Sequence, residues 1–310
     1  MHYRLLGQTG LQVSTLGFGA SPLGGVFGEI EESEGIRAVH IAADLGINFF
    51  DVSPFYGLTK AEEVLGKALQ TLPRESFLLA TKVGRYGQAE FDFSAARVTR
   101  SVEESLKRLQ VETIDLIQCH DIEFGSLDQV VEETLPTLQR LRTQGKVRFS
   151  GITGLPLKIF PTVLDRAEAD TILSYCHYTL CDTSLEILLP YLEAKRVGII
   201  NAAPLAMGLL TEEGPPSWHP APPEMRAACA QAATTCRRQG TDIARLALQF
   251  AVAKPQIATT LVGMASEAQV RQNVACIAEP PETPLLTEVQ AILAPIRNQT
   301  WPSGRPENNG

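Results

Sequence analysis

The sequence predicts an α/β fold, a closed (β/α)8 TIM barrel with an N-terminal β-hairpin and extra C-terminal helices, on three observations. Strand-like apolar runs alternate with segments of helical period along most of the chain. The runs number eight, and the stretch they occupy is near the ~250 residues typical of such a barrel. Three of them end on polar residues suited to chemistry, at the strand ends where a barrel collects its catalytic groups.

A hairpin comes first: Tyr3–Leu6, a turn through Gly7-Gln8-Thr9-Gly10, then Leu11–Val13, closing an N-terminal element over residues 1–13. The barrel strands follow at Thr15–Ala20, Asn48–Ser53, Phe77–Val83, Thr113–His120, Val147–Ile152, Thr171–Tyr175, Val197–Ala202 and Ile257–Val262. Helical period marks Gly35–Leu45, Lys60–Leu69, Ala95–Leu109, Leu127–Arg142, Leu157–Ala167 and Leu185–Ala194. Ser94 is placed to cap the helix before Arg97, and Gly46, Gly145 and Gly240 stand where helices should stop. Strands alternating with helices imply right-handed crossovers and a parallel sheet. The length beyond the eight units falls in the proline-rich loop Gly208–Pro223, an added helix at Glu224–Gln239, another at Leu285–Ile296, and a polar tail, 298–310. The whole chain, 1–310, is expected to be one domain.

A net charge of −8 with no basic block leaves no electrostatic footprint for nucleic acid or anionic lipid, so small molecules are the expected partners. No apolar run is long enough to span a bilayer and no secretory pattern opens the chain, which predicts a cytoplasmic protein, monomer or homodimer. The six cysteines include no C-x-x-C pair and are expected to be reduced and buried. No metal site is expected, since His40 has no partner one helical turn away.

Two motifs are decoys. Gly17-Phe18-Gly19 follows a strand, but Pro22 stands in place of the third glycine of a dinucleotide-binding fingerprint. Cys119-His120 looks like a nucleophile beside its base, yet consecutive strand residues face opposite ways.

The chemistry rests on Asp51, Tyr56, Lys82 and His120. A tyrosine titrates near pH 10, so service as a general acid/base needs a nearby cation. Lys82 is the candidate, expected to lower the pKa of Tyr56 while Asp51 holds the ammonium charged. His120 would steer a substrate oxygen toward the tyrosine.

These residues, in order with the N-terminal hairpin, Leu16-Gly17-Phe18-Gly19, Asn48-Phe49-Phe50-Asp51, Tyr56-Gly57, Thr81-Lys82 and His120-Asp121, resemble the aldo-keto reductases over nearly the whole chain. Within that family the likeness narrows to the plant-type L-galactose dehydrogenases. It is carried by Gly84-Arg85-Tyr86, Cys119–Asp128, Gly151–Pro156, Ser174–Tyr178, Pro204–Thr211, Glu213–Pro216, Trp218-His219-Pro220 and Asn298–Pro302. The resemblance implies oxidation of L-galactose, and of related aldoses such as L-fucose, at C1 to the lactone with NAD as cofactor. It makes Asp51, Tyr56, Lys82 and His120 the catalytic tetrad, with His120, Asp121 and Trp218 facing the sugar.

For the cofactor the resemblance implies Ala20, and then Thr153, Ser174 and Tyr175 near the nicotinamide amide, where the family more often has Ser-Asn and Gln. Pro204, Leu205, Ala206 and Gly208 would lie along the pyrophosphate, and Gly263, Ser266, Gln269 and Asn273 along the adenine end. Gly263 and Gln269 replace the lysine and arginine that usually clasp a 2′-phosphate, which favours NAD. An NADPH-dependent carbonyl reductase and a cofactor-binding regulatory subunit are the alternatives.

Overall fold

The computed structural model describes residues 1–309 and shows the expected closed barrel. The hairpin strands β1 (Tyr3–Leu5) and β2 (Gln12–Ser14) pair antiparallel. Eight parallel strands follow: β3 (Leu16–Gly19), β4 (Phe49–Asp51), β5 (Leu78–Val83), β6 (Ile114–Cys119), β7 (Val147–Gly154), β8 (Thr171–Tyr175), β9 (Gly198–Ala202) and β10 (Thr259–Gly263). They pair in sequence order, and β10 closes the ring by pairing with both β9 and β3.

Alternation sorts the side chains of each strand between lumen and outer shell. Phe49, Ala80, Leu116, Leu173, Ile200 and Leu261 fill the lumen, together with Leu6, Leu11 and Val13 from the hairpin. The hairpin therefore plugs the bottom of the barrel. The alternate residues, such as Phe50, Ile117, Cys119, Ile152 and Ile172, pack outward into two clusters shared with the helices. This phase puts Asp51, Lys82, Gln118 and His120 on the lumen side, above the apolar layers. Cys119 lies in the outer shell, where burial pushes its thiol up to about 12, so it is inert.

Several boundaries differ from the sequence expectation for physical reasons. The helix expected over Leu127–Arg142 is interrupted by a wide turn, Val130–Thr134, in which the Leu135 N–H reaches Val130 O. Pro136 has no N–H to continue the ordinary ladder there, which favours the wider turn. The helices expected over Leu157–Ala167 and Leu185–Ala194 contract to Ile159–Leu164 and Leu189–Ala194, the latter preceded by a 3-10 turn. Two further helices, Ile243–Ala253 and Glu267–Cys276, flank β10; the first is mostly buried and so lacks an alternating pattern. Beyond them come Pro223–Arg238 and Thr283–Leu293, close to the added helices expected. No helix among the described residues is long and apolar enough to cross a membrane.

The polar tail packs onto the barrel through polar contacts as well as through Trp301. Asn308 is buried, and its amide donates to the carbonyls of Glu123 and Gly125 at 2.8 and 3.1 Å. Gly304 adopts φ +75°, and a Cβ there would lie 2.3 Å from Glu123 O, so only glycine permits this approach. The tail is thus bolted to the loop that follows β6.

Candidate active site

Strands β4, β5 and β6 hand polar side chains to the mouth of the lumen. Asp51 closes β4 and Lys82 sits in β5; the Lys82 Nζ pairs with Asp51 Oδ1 and donates to Val52 O at 2.9 Å. Gln118, in register with Lys82 on β6, donates to the other Asp51 oxygen at 2.7 Å. Gln118 was missed, although its position two residues before His120 puts both on one face of a strand.

The ion pair is nearly dry, so each charge survives only through its partner. Burial pushes the Asp51 carboxyl up, against the pull of Lys82 and Gln118. On Lys82, burial works downward but is outweighed by Asp51 and Tyr56, so the ammonium is held firmly protonated.

That ammonium sits 4.9 Å from the centroid of the Tyr56 ring. Burial pushes the Tyr56 phenol up and the Lys82 charge pulls it down; burial wins. The expected pull of Lys82 on Tyr56 is present, and burial outweighs it. A phenolate is costly in this closed space, and Lys82 divides its charge between Asp51 and Tyr56. Tyr56 accordingly carries its proton at neutral pH.

His120 lies just past β6, edge-on to Tyr56 with 5.7 Å between ring centroids, and to Phe55 at 5.9 Å. Burial lowers its pKa to about 3, so the ring is neutral over any working range. The Ser53 hydroxyl oxygen accepts from the Phe55 N–H at 3.1 Å and stands 2.9 Å from His120 Nδ1, an arrangement that favours donation of its proton to Nδ1. With Nδ1 accepting, the ring proton is on Nε2, which faces the lumen as a donor. Nothing in the sequence pattern distinguishes Ser53 as this partner, because the contact joins two strands.

The remaining residues implied by resemblance fall into groups. Asp121, in the left-handed region at φ 50°, is buried next to His120 and ion-paired with Arg85. The Thr153 hydroxyl accepts from the Asp121 N–H at 2.9 Å and lies 3.3 Å from Asp121 Oδ1, so it serves Asp121 rather than standing free. Tyr175 shares the lumen face with Leu173, and its hydroxyl reaches Glu123 Oε1 at 3.4 Å. Ser174, by alternation, shares the opposite face with Ile172; its buried hydroxyl has no partner. Ala20 is buried and ties β3 to β4 through its N–H to Asp51 O at 2.8 Å.

Pro204, Leu205, Ala206 and Gly208 lie in the loop after β9, where Ala203, Ala206, Met207 and Gly208 all take positive φ. The loop is a tight, self-bonded turn: the Ala206, Gly208, Leu209 and Leu210 N–H groups donate to the carbonyls of Ala203, Leu205, Ala206 and Leu205. A cavity of about 110 Å³ opens between this loop and the helix after β10, bounded by Leu205, Arg245, Val262 and Asn273. Ser266 caps that helix by accepting from the Gln269 N–H, and Gln269 folds back to accept from the Ala265 N–H at 2.8 Å. Gly263 is exposed, with the Pro22 ring 3.1 Å from where a Cβ would stand. Trp218 is 55% exposed and approaches Phe27 at 6.4 Å between ring centroids, so the loops after β3 and β9 meet over the end of β10. His219 beside it is buried and pins its own loop, donating from Nε2 to Ala206 O at 3.0 Å while Nδ1 accepts from Ala221. Trp301 meets His219 edge-on at 4.9 Å, seating the start of the tail.

The arrangement suits a nicotinamide dinucleotide, with a cavity between the loop after β9 and the helices on either side of β10, and a proton-handling cluster at the lumen mouth. No group of three or more His, Cys, Asp or Glu among the described residues is placed to hold a metal ion.

Comparison with known proteins agrees. The chain is 55% identical to the L-galactose dehydrogenase of Arabidopsis thaliana over 314 residues, covering 98% of each chain. It is 29% identical to a D-threo-aldose 1-dehydrogenase of Pseudomonas, covering 85% of this chain and 89% of that one. Among solved structures, an aldo-keto reductase of Bacillus halodurans in its holo form superposes with a TM-score of 0.79 at 28% identity, over 100% of both chains. Residues 15–293 match the Aldo/keto reductase family as a whole, and this chain belongs to that family of oxidoreductases.

Proposed function

We propose that this protein is an NAD-dependent aldose 1-dehydrogenase that oxidises L-galactose, and L-fucose as a near relative, to the corresponding lactone. The observation that carries the proposal is the lumen cluster: Lys82 held by Asp51, Tyr56 over Lys82, and the Nε2 donor of His120 on the same face. The 55% identity to a plant L-galactose dehydrogenase supports the choice of sugar.

In this reading His120 Nε2–H binds the C1 oxygen of the sugar and holds its hydroxyl toward Tyr56. Tyr56 first gives up its own proton to solvent, the more so as pH rises, and the resulting phenolate, stabilised by Lys82, then takes the hydroxyl proton. Asp51 and Gln118 keep the ammonium in place without discharging it. Nicotinamide, when bound, supplies the acceptor for hydride. Leu205, Gly208 and Asn273 are the residues assigned to hold the dinucleotide, with Tyr175 and Thr153 near its amide.

NAD is favoured over NADP by charges at the end of β10. Arg271 is paired with Glu267 at 2.8 Å and Arg245, in the cavity wall, with Glu279 at 2.8 Å, while Glu267 places a carboxylate in the first turn of that helix. A 2′-phosphate would meet no free cation there and one like charge.

A screen of aldoses with NAD and NADP, followed by nicotinamide absorbance, tests the proposal. L-Galactose with NAD should give the highest kcat/KM, with NADP at least about tenfold lower. One observation favours a second reading: a neutral Tyr56 is poised to donate a proton, as a carbonyl reductase needs. Efficient reduction of a simple aromatic aldehyde with NADPH, and no oxidation of any L-sugar, would replace the first reading with that one.

A further inference from the structure

Arg85 and Asp121 form a pair that the mechanism above does not use. Asp121 Oδ2 takes one N–H of Arg85, and Oδ1 faces the Thr153 hydroxyl at 3.3 Å, which leaves each carboxylate oxygen with acceptor capacity. Arg85 is less filled still. Its Nε–H is buried without any partner, and its only hydrogen-bond acceptor among the described residues is Asp121. A guanidinium carries five N–H donors, and leaving a buried one unmet costs on the order of 1–3 kcal/mol.

Position makes this surplus informative. Asp121 Oδ2 is 3.6 Å from His120 Nε2, too long for a strong hydrogen bond, so the Nε2 proton stays available. Two oxygens on neighbouring carbons can bridge such a gap, one accepting from His120 and the other donating to Asp121. The Arg85 guanidinium lies 3.9 Å from the centroid of Phe55, and Phe91 stacks on Phe124 at 4.6 Å beside it. All three rings are half-buried, and the guanidinium, also 5.3 and 5.2 Å from the centroids of Phe91 and Phe124, is seated among them. Polar groups set among aromatic faces suit a sugar ring, which has hydroxyls at its edge and C–H groups on its face.

We propose that Arg85 and Asp121 form a subsite for the hydroxyl on the carbon next to the reacting one, so that this enzyme reads a vicinal diol. The proposal rests on the aldose reading above. His120 takes the C1 oxygen, Asp121 accepts from the C2 hydroxyl, and the free Arg85 donors bind that oxygen or the next. A substrate without the C2 hydroxyl would leave these groups unpaired, which is how a polar site rejects an analogue.

The test is kcat/KM for L-galactose and for its 2-deoxy analogue at saturating NAD, in the wild type, Arg85→Met, Arg85→Lys and Asp121→Asn. The wild type should prefer the full sugar by at least about 10²-fold. Arg85→Met and Asp121→Asn should shrink that preference to within about tenfold, with NAD affinity unchanged by fluorescence titration; Arg85→Lys should keep an intermediate share. Asp121→Asn is nearly isosteric and decides the matter if Arg85→Met does not fold. A wild type that oxidises both sugars equally well overturns the subsite without any variant. An undiminished preference in both variants does the same while leaving the aldose reading intact. If the wild type oxidises no aldose at all, the reading falls first and the subsite with it.

Discussion

Strand β6 carries an aspartate at each end, and the two are treated differently. At the bottom of the barrel Asp115 accepts from Arg74 at 2.6 Å, from Arg148 at 2.6 Å and from the Leu79 N–H at 2.9 Å. Both its oxygens are engaged and no ligand has room to compete. At the top, just past the strand, Asp121 shares one arginine that keeps unpaired donors, and the nearby Glu123 has a buried oxygen with no partner among the described residues. Residue type does not separate the two ends. Saturation does: a filled hydrogen-bond inventory marks structure, and an unfilled one at a strand C-terminus marks a place built for something else.

The comparison breaks most sharply at Tyr56. Tyr56→Phe should lower kcat by at least about 10²-fold while melting temperature and NAD affinity hold, since only a proton-handling group is lost. Because burial raises the phenol, oxidation by the wild type should speed up as pH rises well above neutral. A Tyr56→Phe enzyme with near-normal kcat removes the tyrosine from the mechanism. Asp115→Asn should do the reverse: a loss of about 1–3 kcal/mol in stability, read from denaturant melts, with kcat of the folded enzyme unchanged. A fall in kcat at intact stability would erase the distinction between the two ends.

Smaller effects sharpen the picture. Ser53→Ala removes the donor that holds His120 Nδ1, at roughly 1 kcal/mol or about fivefold in kcat/KM. Its proper readout is the 15N spectrum of the ring, which should move from the Nε2–H form toward a mixture. An unchanged spectrum would show that something other than Ser53 fixes the tautomer.

Glu123 gives the subtlest case. Unfolded, its carboxyl titrates near the ordinary 4.5; folded, burial and then Asp121 push it up to about 8. Between those values the folded state holds a proton that the unfolded state has lost, so stability falls as pH rises through the window. Glu123→Gln abolishes that slope. It should melt like the wild type near pH 4 and at least about 2 °C higher near pH 8. Parallel pH curves for the two proteins would mean that Glu123 ionises freely.

Much of this was legible in the residues themselves. Apolar alternation gave the eight strands, and the polar residues at their ends gave Asp51, Lys82 and His120, because both patterns are local. Gln118 was within reach of the same reasoning, two places before His120. What escaped depends on partners distant in sequence. Ser53 matters only because β4 and β6 bring it to His120, and Arg85 only because its long side chain crosses to Asp121. Ser266 and Gln269 are assigned to the adenine end by the resemblance, and both hydrogen-bond within their own helix start. Periodicity does not show which polar groups are already engaged.

The contact between Asn308 and the loop after β6 joins residues 185 and 183 positions apart. The loop that carries Asp121 and Glu123 is therefore held from two sides, by its own strand and by residues 303–309, which also reach it through the Ser303 hydroxyl on Glu123 Oε1 at 2.9 Å and the Arg305 N–H on Glu123 O at 2.9 Å. Loss of those residues would leave the Glu123 and Gly125 carbonyls without their donors while every strand pairing stayed intact. The rim of the site is thus secured by a segment that the barrel itself does not need.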